Sequence, residues 1–268
     1  MDRGDLKIVL CQCDILWESP QENCSRLSAM LEEYLQDKDA DLMVLPEFFS
    51  MGFTMSADAV LSEEGMTLRW MHSAAARYGV AIVGSIPTMV QGKIHNRCYF
   101  VAPDGTENYY DKRHLFRMGD ENSHYTRGDE ITIVEYKGVK FALNICYDIR
   151  FPVWSRNKGN KYDVLLNIAN FPEVRIKAIE PLARARSIEN LAYTIFVNRD
   201  GKDPLCIYCP SSQMYDYKGD DIAQEKFITD SDGCRTQVIC CNIDIEGLQE
   251  FRDKFPAWMD ADTFNLIR

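Results

Sequence analysis

Apolar residues fall along the chain in two kinds of run: short and nearly continuous, or spaced at three and four with polar residues between. The first kind reads as buried strand, the second as amphipathic helix. Residues 7–13 (KIVLCQC) predict the first strand. A helix then starts at Ser19, an N-cap residue followed by Pro20 at the first helical position. Leu27, Met30, Leu31, Tyr34 and Leu35 form its apolar stripe. Residues 41–45 (DLMVL) predict a short buried strand running into Pro46 and Glu47, and a second helix is expected over 64–78, stopped by Gly79. The run AIVGS reads as strand, and residues 94–102 and 107–111 flank an Asp104–Gly105 turn as a hairpin. A second hairpin, 131–136 with 139–145 around Gly138, leads into Cys146. Then follow a short helix near 152–157, the strand DVLLNIA, a helix over about 175–190, and the strand AYTIFVN. Further strands around a Lys218–Gly219 turn end near Ile245, before a last helix and the polar tail PAWMDADTF. Strand and helix alternate, which points to an α/β or layered α+β fold.

No repeat, low-complexity tract or Pro/Gly/Ser-rich linker divides the 268 residues. One domain is expected over 1–268, with a core at about 6–245 and a C-terminal helix and tail over 246–268. The net charge of −11 argues against a general nucleic-acid binder, since no basic run interrupts the acidic background. The opening MDRGDLKIVLCQCDIL is too short in its apolar stretch, and too interrupted by polar residues, for a signal peptide or membrane anchor. A cytoplasmic location without membrane partners is therefore the expectation. Ten cysteines need an explanation, and without a secretory signal a disulfide framework is disfavoured. Cys206 and Cys209 have CxxC spacing, but a single pair without a second pair or a nearby His is a weak metal signal, so no metal is expected. Most of the thiols lie in apolar runs and read as small buried hydrophobes.

Three polar residues stand at the ends of apolar strands. Glu47 directly follows DLMVLP; a carboxylate there is paired, exposed or functional, and capping a nearby loop is the plain alternative. Lys112 follows Tyr109 and Tyr110 in NYYDKRHLF. A lysine among charged residues is usually solvated, yet an ammonium can stabilise an oxyanion or hold a thiolate by charge. Cys146, in FALNICYDIRFP, sits where a strand turns into a helix. Such an elbow presents a nucleophile outward and aims the next backbone N–H groups at the reacting carbonyl. Spacing alone does not separate this from a buried structural cysteine.

Taken together, LPEFFSMGF, YYDKRHLF and NICYDIRFP resemble, in order, the acid, lysine and nucleophile motifs of the nitrilase superfamily of carbon–nitrogen hydrolases. NIANFP, LARARSIENLAY and VNRDGKD continue the likeness, which runs from Lys7 to near Ile245. The stretch KRHLFRMGDENSHYTRG and the tail KFPAWMDADTF are most similar to the bacterial ω-amidase branch. The resemblance implies an α+β, four-layer α-β-β-α sandwich, a homodimer or larger homo-oligomer, and no cofactor. Alignment on Gly128 puts Glu121 where the family carries a second acid, with Asp120 its immediate neighbour. Phe171 stands where many relatives have Trp, a departure that reshapes the pocket and removes no catalytic group.

The implied reaction is hydrolysis of a small-molecule amide through a Cys146 thioester. Glu47 acts as base and then acid, Lys112 and the Tyr147 backbone N–H receive the oxyanion, and Glu121 orients Lys112. The implied substrates are the ω-amides of 2-oxo acids, 2-oxoglutaramate and 2-oxosuccinamate. These are anionic, so a cation is expected in the pocket; Arg175 in NFPEVR is the candidate, with an ordinary exposed helix arginine as the alternative reading. The same catalytic residues could serve another small amide or an N-carbamoyl amine, and a non-catalytic interaction module would have lost Glu, Lys or Cys. Of the four histidines only His114 lies in a motif, and no Asn or Asp to orient it stands at a recognisable position.

Overall fold

The first β-αβ stretch shows how periodicity becomes layers. β1 (Leu6–Cys13) runs to α1 (Pro20–Leu35), β2 (Leu42–Val44), α2 (Ala57–Ser62), α3 (Met66–Tyr78), β3 (Ala81–Val90), β4 (Lys93–Val101) and β5 (Glu107–Asp111). After these come α4 (Glu121–His124), β6 (Ile133–Tyr136), β7 (Val139–Ile145), β8 (Val164–Ala169), α5 (Ile179–Asn190) and β9 (Tyr193–Asn198). The last elements are β10 (Gly201–Lys202), β11 (Ile207–Tyr208), β12 (Gln213–Tyr215), β13 (Lys226–Ser231), β14 (Cys234–Ile243) and α6 (Ile245–Lys254). The computed structural model describes residues 5–266 apart from 37, 64, 225, 232 and 233.

Two mixed sheets carry the fold, one in the order β13-β14-β1-β2-β3-β4-β5 and one in the order β12-β9-β8-β7-β6. β1, β2 and β3 pair in parallel in the first, as do β7, β8 and β9 in the second, and the outer pairings are antiparallel. Alternate residues along each strand serve alternate faces. Ile8, Leu10, Val44 and Val83 of the first sheet meet Leu143, Ile145, Leu166, Ile168 and Ile195 of the second in one apolar layer. The opposite face of the first sheet, with Val9, Cys11 and Met43, takes Leu27, Met30, Leu31 and Met71 of α1 and α3. On the far side, Ala169 and Phe196 take Ile179 and Ala183 of α5. The result is the expected four-layer α-β-β-α sandwich. Truncating one of the buried Leu or Ile side chains to Ala costs about 2–5 kcal/mol.

Several boundaries differ from the sequence reading. Ser19 does precede α1, but its hydroxyl donates back to Trp17 O (3.0 Å) and caps no helical N–H; Pro20 supplies the start instead. The second helix begins at Met66, and position 64, its expected first residue, lies outside the described residues. α2 was not anticipated; its N-cap is Ser56, whose hydroxyl accepts the Ala59 N–H. The expected helix at 152–157 is turn and loop, because the single turn of 3-10 helix falls earlier, over Cys146–Arg150. The helix expected from 175 opens as a 3-10 segment, Glu173–Ala178, and becomes α-helical at Ile179. Ile245 starts α6 and does not end a strand. None of the helices is long and apolar enough to cross a membrane, among the described residues.

Candidate active site

The ends of β2, β5, β7 and β8 bring Glu47, Lys112, Cys146 and Asn170 together, at the carboxyl edge of the parallel strands where α/β sheets leave a crevice. Glu47 is fully buried. The chain turns sharply after it, with Phe48 at φ +46° and its N–H on Ser85 Oγ (3.0 Å). The next ring, Phe49, lies so close to β3 that a Cβ at Gly84 would sit 2.6 Å from its Cδ1. One carboxylate oxygen of Glu47 accepts Lys112 Nζ (2.7 Å) and Asn96 Nδ2 (2.7 Å); the other accepts the Asn170 N–H (2.9 Å). Asn170 Nδ2 also donates to the Glu47 carbonyl (2.8 Å). Three donors thus orient this carboxylate, and a fourth holds its backbone.

Lys112 is 1% exposed, and its ammonium lies 2.7 Å from Glu47 and 3.0 Å from Glu121. Its backbone is clamped as well: the N–H reaches Asn96 O and the carbonyl takes the Gly128 N–H, each at 2.9 Å. Gly128 is required by this approach, since a Cβ there would lie 2.2 Å from Asp111 O. Of the two neighbouring acids, Glu121 is the buried one, accepting the Phe116 N–H (2.6 Å) and Asn96 Nδ2 (3.0 Å). Asp120 points outward to Ser123 and His124.

Cys146 has φ +45°, a left-handed conformation that costs a non-glycine residue about 1–2 kcal/mol. Asp148 holds the strained elbow. One of its oxygens accepts the Ile145 N–H (2.9 Å) and the Tyr110 hydroxyl (2.8 Å), and the other bonds the backbone N–H (3.0 Å) and ring Nδ1 (2.7 Å) of His114. This corrects the expectation that His114 lacks an acidic partner. The histidine stacks on Phe151 (3.7 Å) and faces a different cleft from Cys146, so the pair ties the lysine loop to the elbow.

Burial, then the negative charge of Glu47, pushes the Cys146 thiol well above its usual range, and its sulfur lies 3.9 Å from the Asn170 carbonyl oxygen. Both effects favour the thiol over the thiolate. For Lys112, burial favours loss of the proton, but the charges of Glu121 and Glu47 override it and keep the ammonium charged. Burial, against the pull of Lys112, raises the Glu121 carboxyl.

A cavity of about 290 Å³ opens above Cys146 and Lys112. Phe116, Tyr147 and Phe171 form apolar wall, with Tyr147 edge-on to Phe116 (5.2 Å between centroids) and Phe171 held through its N–H on Asn198 Oδ1 (2.7 Å). Arg175 lies on the 3-10 segment with its guanidinium 4.7 Å from the Phe116 ring centre, and it lines the cavity. The β10–β11 hairpin contributes Leu205, Cys206 and Tyr208. Asp203 braces that hairpin, accepting the N–H groups of Leu205 and Cys206 (2.8 Å each) and the Tyr208 hydroxyl (2.7 Å). Cys206 and Cys209 are both half-buried, and burial raises both thiols.

Asn96, Asp148, Asn170 and Arg150 escaped the sequence reading although all four contribute to the site or its frame. Asn170 follows an apolar strand, the same signal that singled out Glu47, whereas Asn96 stands between the polar His95 and Arg97 and carries no such mark. Asp148 and Arg150 lie inside the nucleophile motif, in the shadow of Cys146.

Residues 7–253 match the carbon–nitrogen hydrolase family. The chain is 39% identical to the Omega-amidase YafV of Escherichia coli strain K12 over 97% of its own length and 98% of the relative's. It is 31% identical to the 2-oxoglutaramate amidase of Bacillus subtilis strain 168, over 93% and 95% of the two chains. Among solved structures, XC1258 of Xanthomonas campestris, a CN-hydrolase superfamily protein with an arsenic adduct in its active site, superposes with a TM-score of 0.88 at 37% identity, covering 98% of this chain and 99% of that one.

Proposed function

The chain belongs to the carbon–nitrogen hydrolase family as an amide-hydrolysing enzyme, and from that premise we propose that it cleaves the terminal amide of small 2-oxo acids through a Cys146 thioester. The observation that carries the reading is the buried Glu47–Lys112–Glu121 cluster, with Lys112 Nζ at 2.7 and 3.0 Å from the two carboxylates beside the Cys146 thiol.

Glu47 takes the thiol proton as sulfur attacks the amide carbon; a thiol held above its usual range needs this base. The oxyanion is received by the Lys112 ammonium and the Tyr147 backbone N–H. Glu47 returns the proton to the departing nitrogen as ammonia leaves. It then takes a proton from the water that attacks the thioester and hands it to the sulfur as the C–S bond breaks, giving the acid and the free thiol. Glu121 keeps Lys112 in position. The cavity lies at the small end of ligand pockets, which suits an amide of four or five carbons. Arg175 receives the distal carboxylate and Phe171 shapes the wall between the two ends.

The test is ammonia release from 2-oxoglutaramate, 2-oxosuccinamate, N-carbamoyl amines and short uncharged amides. The 2-oxo acid amides are expected to have the highest kcat/KM, and Cys146→Ala to lose turnover on every substrate while folding normally. Turnover by Cys146→Ala within about tenfold of the parent, well inside the usual loss for a missing nucleophile, would sink the mechanism. A preference for carbamoyl amines would reassign the substrate.

A further inference from the structure

The cavity is lined by three cations, Lys112, Arg150 and Arg175, and by no Asp or Glu among the described residues. In a chain of net charge −11 that is a marked local reversal. Lys112 is balanced from behind by Glu47 and Glu121. Arg150 and Arg175 have no ion-pair partner among the described residues. Each guanidinium instead faces an aromatic wall, Arg175 at 4.7 Å from the Phe116 ring centre and Arg150 at 5.7 Å from that of Phe171. The two reach the cavity from neighbouring strands: Arg150 ends the 3-10 turn after β7, and Arg175 follows the end of β8.

We propose that Arg150 and Arg175 act as a pair that sorts substrates by the group beside the carboxylate, admitting the 2-oxo acid amide and rejecting the 2-amino acid amide of the same skeleton. This rests on the ω-amide reading above. A 2-oxo acid offers only acceptors at that end, a carboxylate and a carbonyl oxygen, and two guanidinium forks supply the donors. Asparagine and glutamine carry the same terminal amide and carboxylate, but their ammonium brings a positive charge and three donors. No carboxylate lines the cavity to pair with it, and the two arginines repel it. A partly desolvated ammonium without a partner is strongly disfavoured, and sites that leave a buried polar group unpaired discriminate by large factors. Arg150 is thereby a specificity-determining residue alongside Arg175.

The experiment compares kcat/KM for 2-oxosuccinamate and L-asparagine, each divided by that for butyramide within the same variant, so that any general loss of activity cancels. The parent enzyme is expected to favour the oxo acid by about 10²-fold or more, given what an unpaired buried polar group does to selectivity. Arg150→Glu and Arg175→Glu are each expected to narrow that ratio by about tenfold or more, on the scale of one charge-assisted hydrogen bond, while Arg150→Lys and Arg175→Lys keep most of it. An equal preference in the parent, or a ratio that none of these variants moves, would overturn the proposal. If the parent hydrolyses butyramide but neither charged amide, the ω-amide reading fails. The pair is then read separately from inhibition of butyramide hydrolysis by 2-oxosuccinate and L-aspartate. Selective inhibition by the oxo acid, lost in the Glu variants, upholds the sorting, and equal inhibition refutes it.

Discussion

Replacing Lys112 by Met removes the one cation from a buried cluster and leaves two carboxylates, Glu47 and Glu121, with no exposure to water and a shared donor in Asn96. The side-chain volume is nearly kept, so the effect is electrostatic. At an effective dielectric of about 20, contacts of 2.7 and 3.0 Å are each worth roughly 6 kcal/mol before desolvation is counted. After desolvation, breaking a buried pair costs about 3–5 kcal/mol. The variant escapes part of this by holding a proton on one carboxyl, so its folded pKa rises above the unfolded value of about 4.3. A raised pKa contributes stability that is full below the unfolded value and is lost as pH rises through the folded one. The stability deficit against the parent should therefore widen from pH 5 to pH 8 in urea denaturation. Adding Glu121→Gln deletes one of the charges and should return at least about 1 kcal/mol at pH 8. Turnover should fall by about 10²-fold or more in both variants, since the oxyanion donor is gone in each. A deficit equal at pH 5 and pH 8, with no recovery from Glu121→Gln, would place the damage in packing and refute the electrostatic account. Near-normal turnover would remove Lys112 from the chemistry.

Asp148→Ala should destabilise by at least about 3 kcal/mol, because the Ile145 N–H, the Tyr110 hydroxyl and the His114 N–H lose their acceptor, each at about 1–3 kcal/mol; kcat should fall more than KM rises as the Cys146 elbow relaxes, and an unchanged kcat would show the elbow holds itself. Gly128→Ala should cost about 1–3 kcal/mol and lower turnover by displacing the Lys112 backbone, measured by thermal melting and ammonia release, because its Cβ would lie 2.2 Å from Asp111 O. Burial pushes the Cys24 thiol from 9.0 up to about 12, so its contribution to stability is full below pH 9 and is lost between pH 9 and about 12, at about 1.4 kcal/mol per pH unit. The slope of urea stability against pH in that window should flatten by this amount in Cys24→Ala, and an identical slope would show that Cys24 ionises freely in the fold.

The strands and their order were legible because each sheet is buried on both faces, and a buried strand writes itself as an apolar run of fixed length. LKIVLCQC, LMV and VLLNIA are strands in the structure within a residue or two of where the pattern put them. Short 3-10 turns have no such signature. A run of five or six residues is too short to show a repeat of apolar positions, so Cys146–Arg150 was read as a helix a few residues further on, and Glu173–Ala178 was merged into the start of the helix expected from about 175. Ser19 failed differently: its composition is that of a cap, but its hydroxyl found Trp17 O closer to hand.

At the site, what could be read were residues whose chemistry is out of place in an apolar context, namely Glu47, Lys112 and Cys146. What could not be read was how they hold one another. Asn96 lies on β4 and Asn170 beyond β8, 74 positions apart, yet both donate to Glu47. Asp148, two residues from Cys146, reaches back to Tyr110 and His114 beside Lys112. Such contacts depend on the register of one sheet against the other, and register across a sandwich is not a property of any local window. The same holds for the charge of the cavity. Arg150 looks like an ordinary surface arginine in CYDIRFP, and only beside Arg175, with no acid on the shared wall, does its position bear on which amide can enter. The two buried carboxylates share the ammonium of Lys112 and the amide of Asn96, which lowers the cost of holding their charge inside the fold, and the positive charge of Arg150 and Arg175 is left at the mouth, where an anionic substrate would complete it.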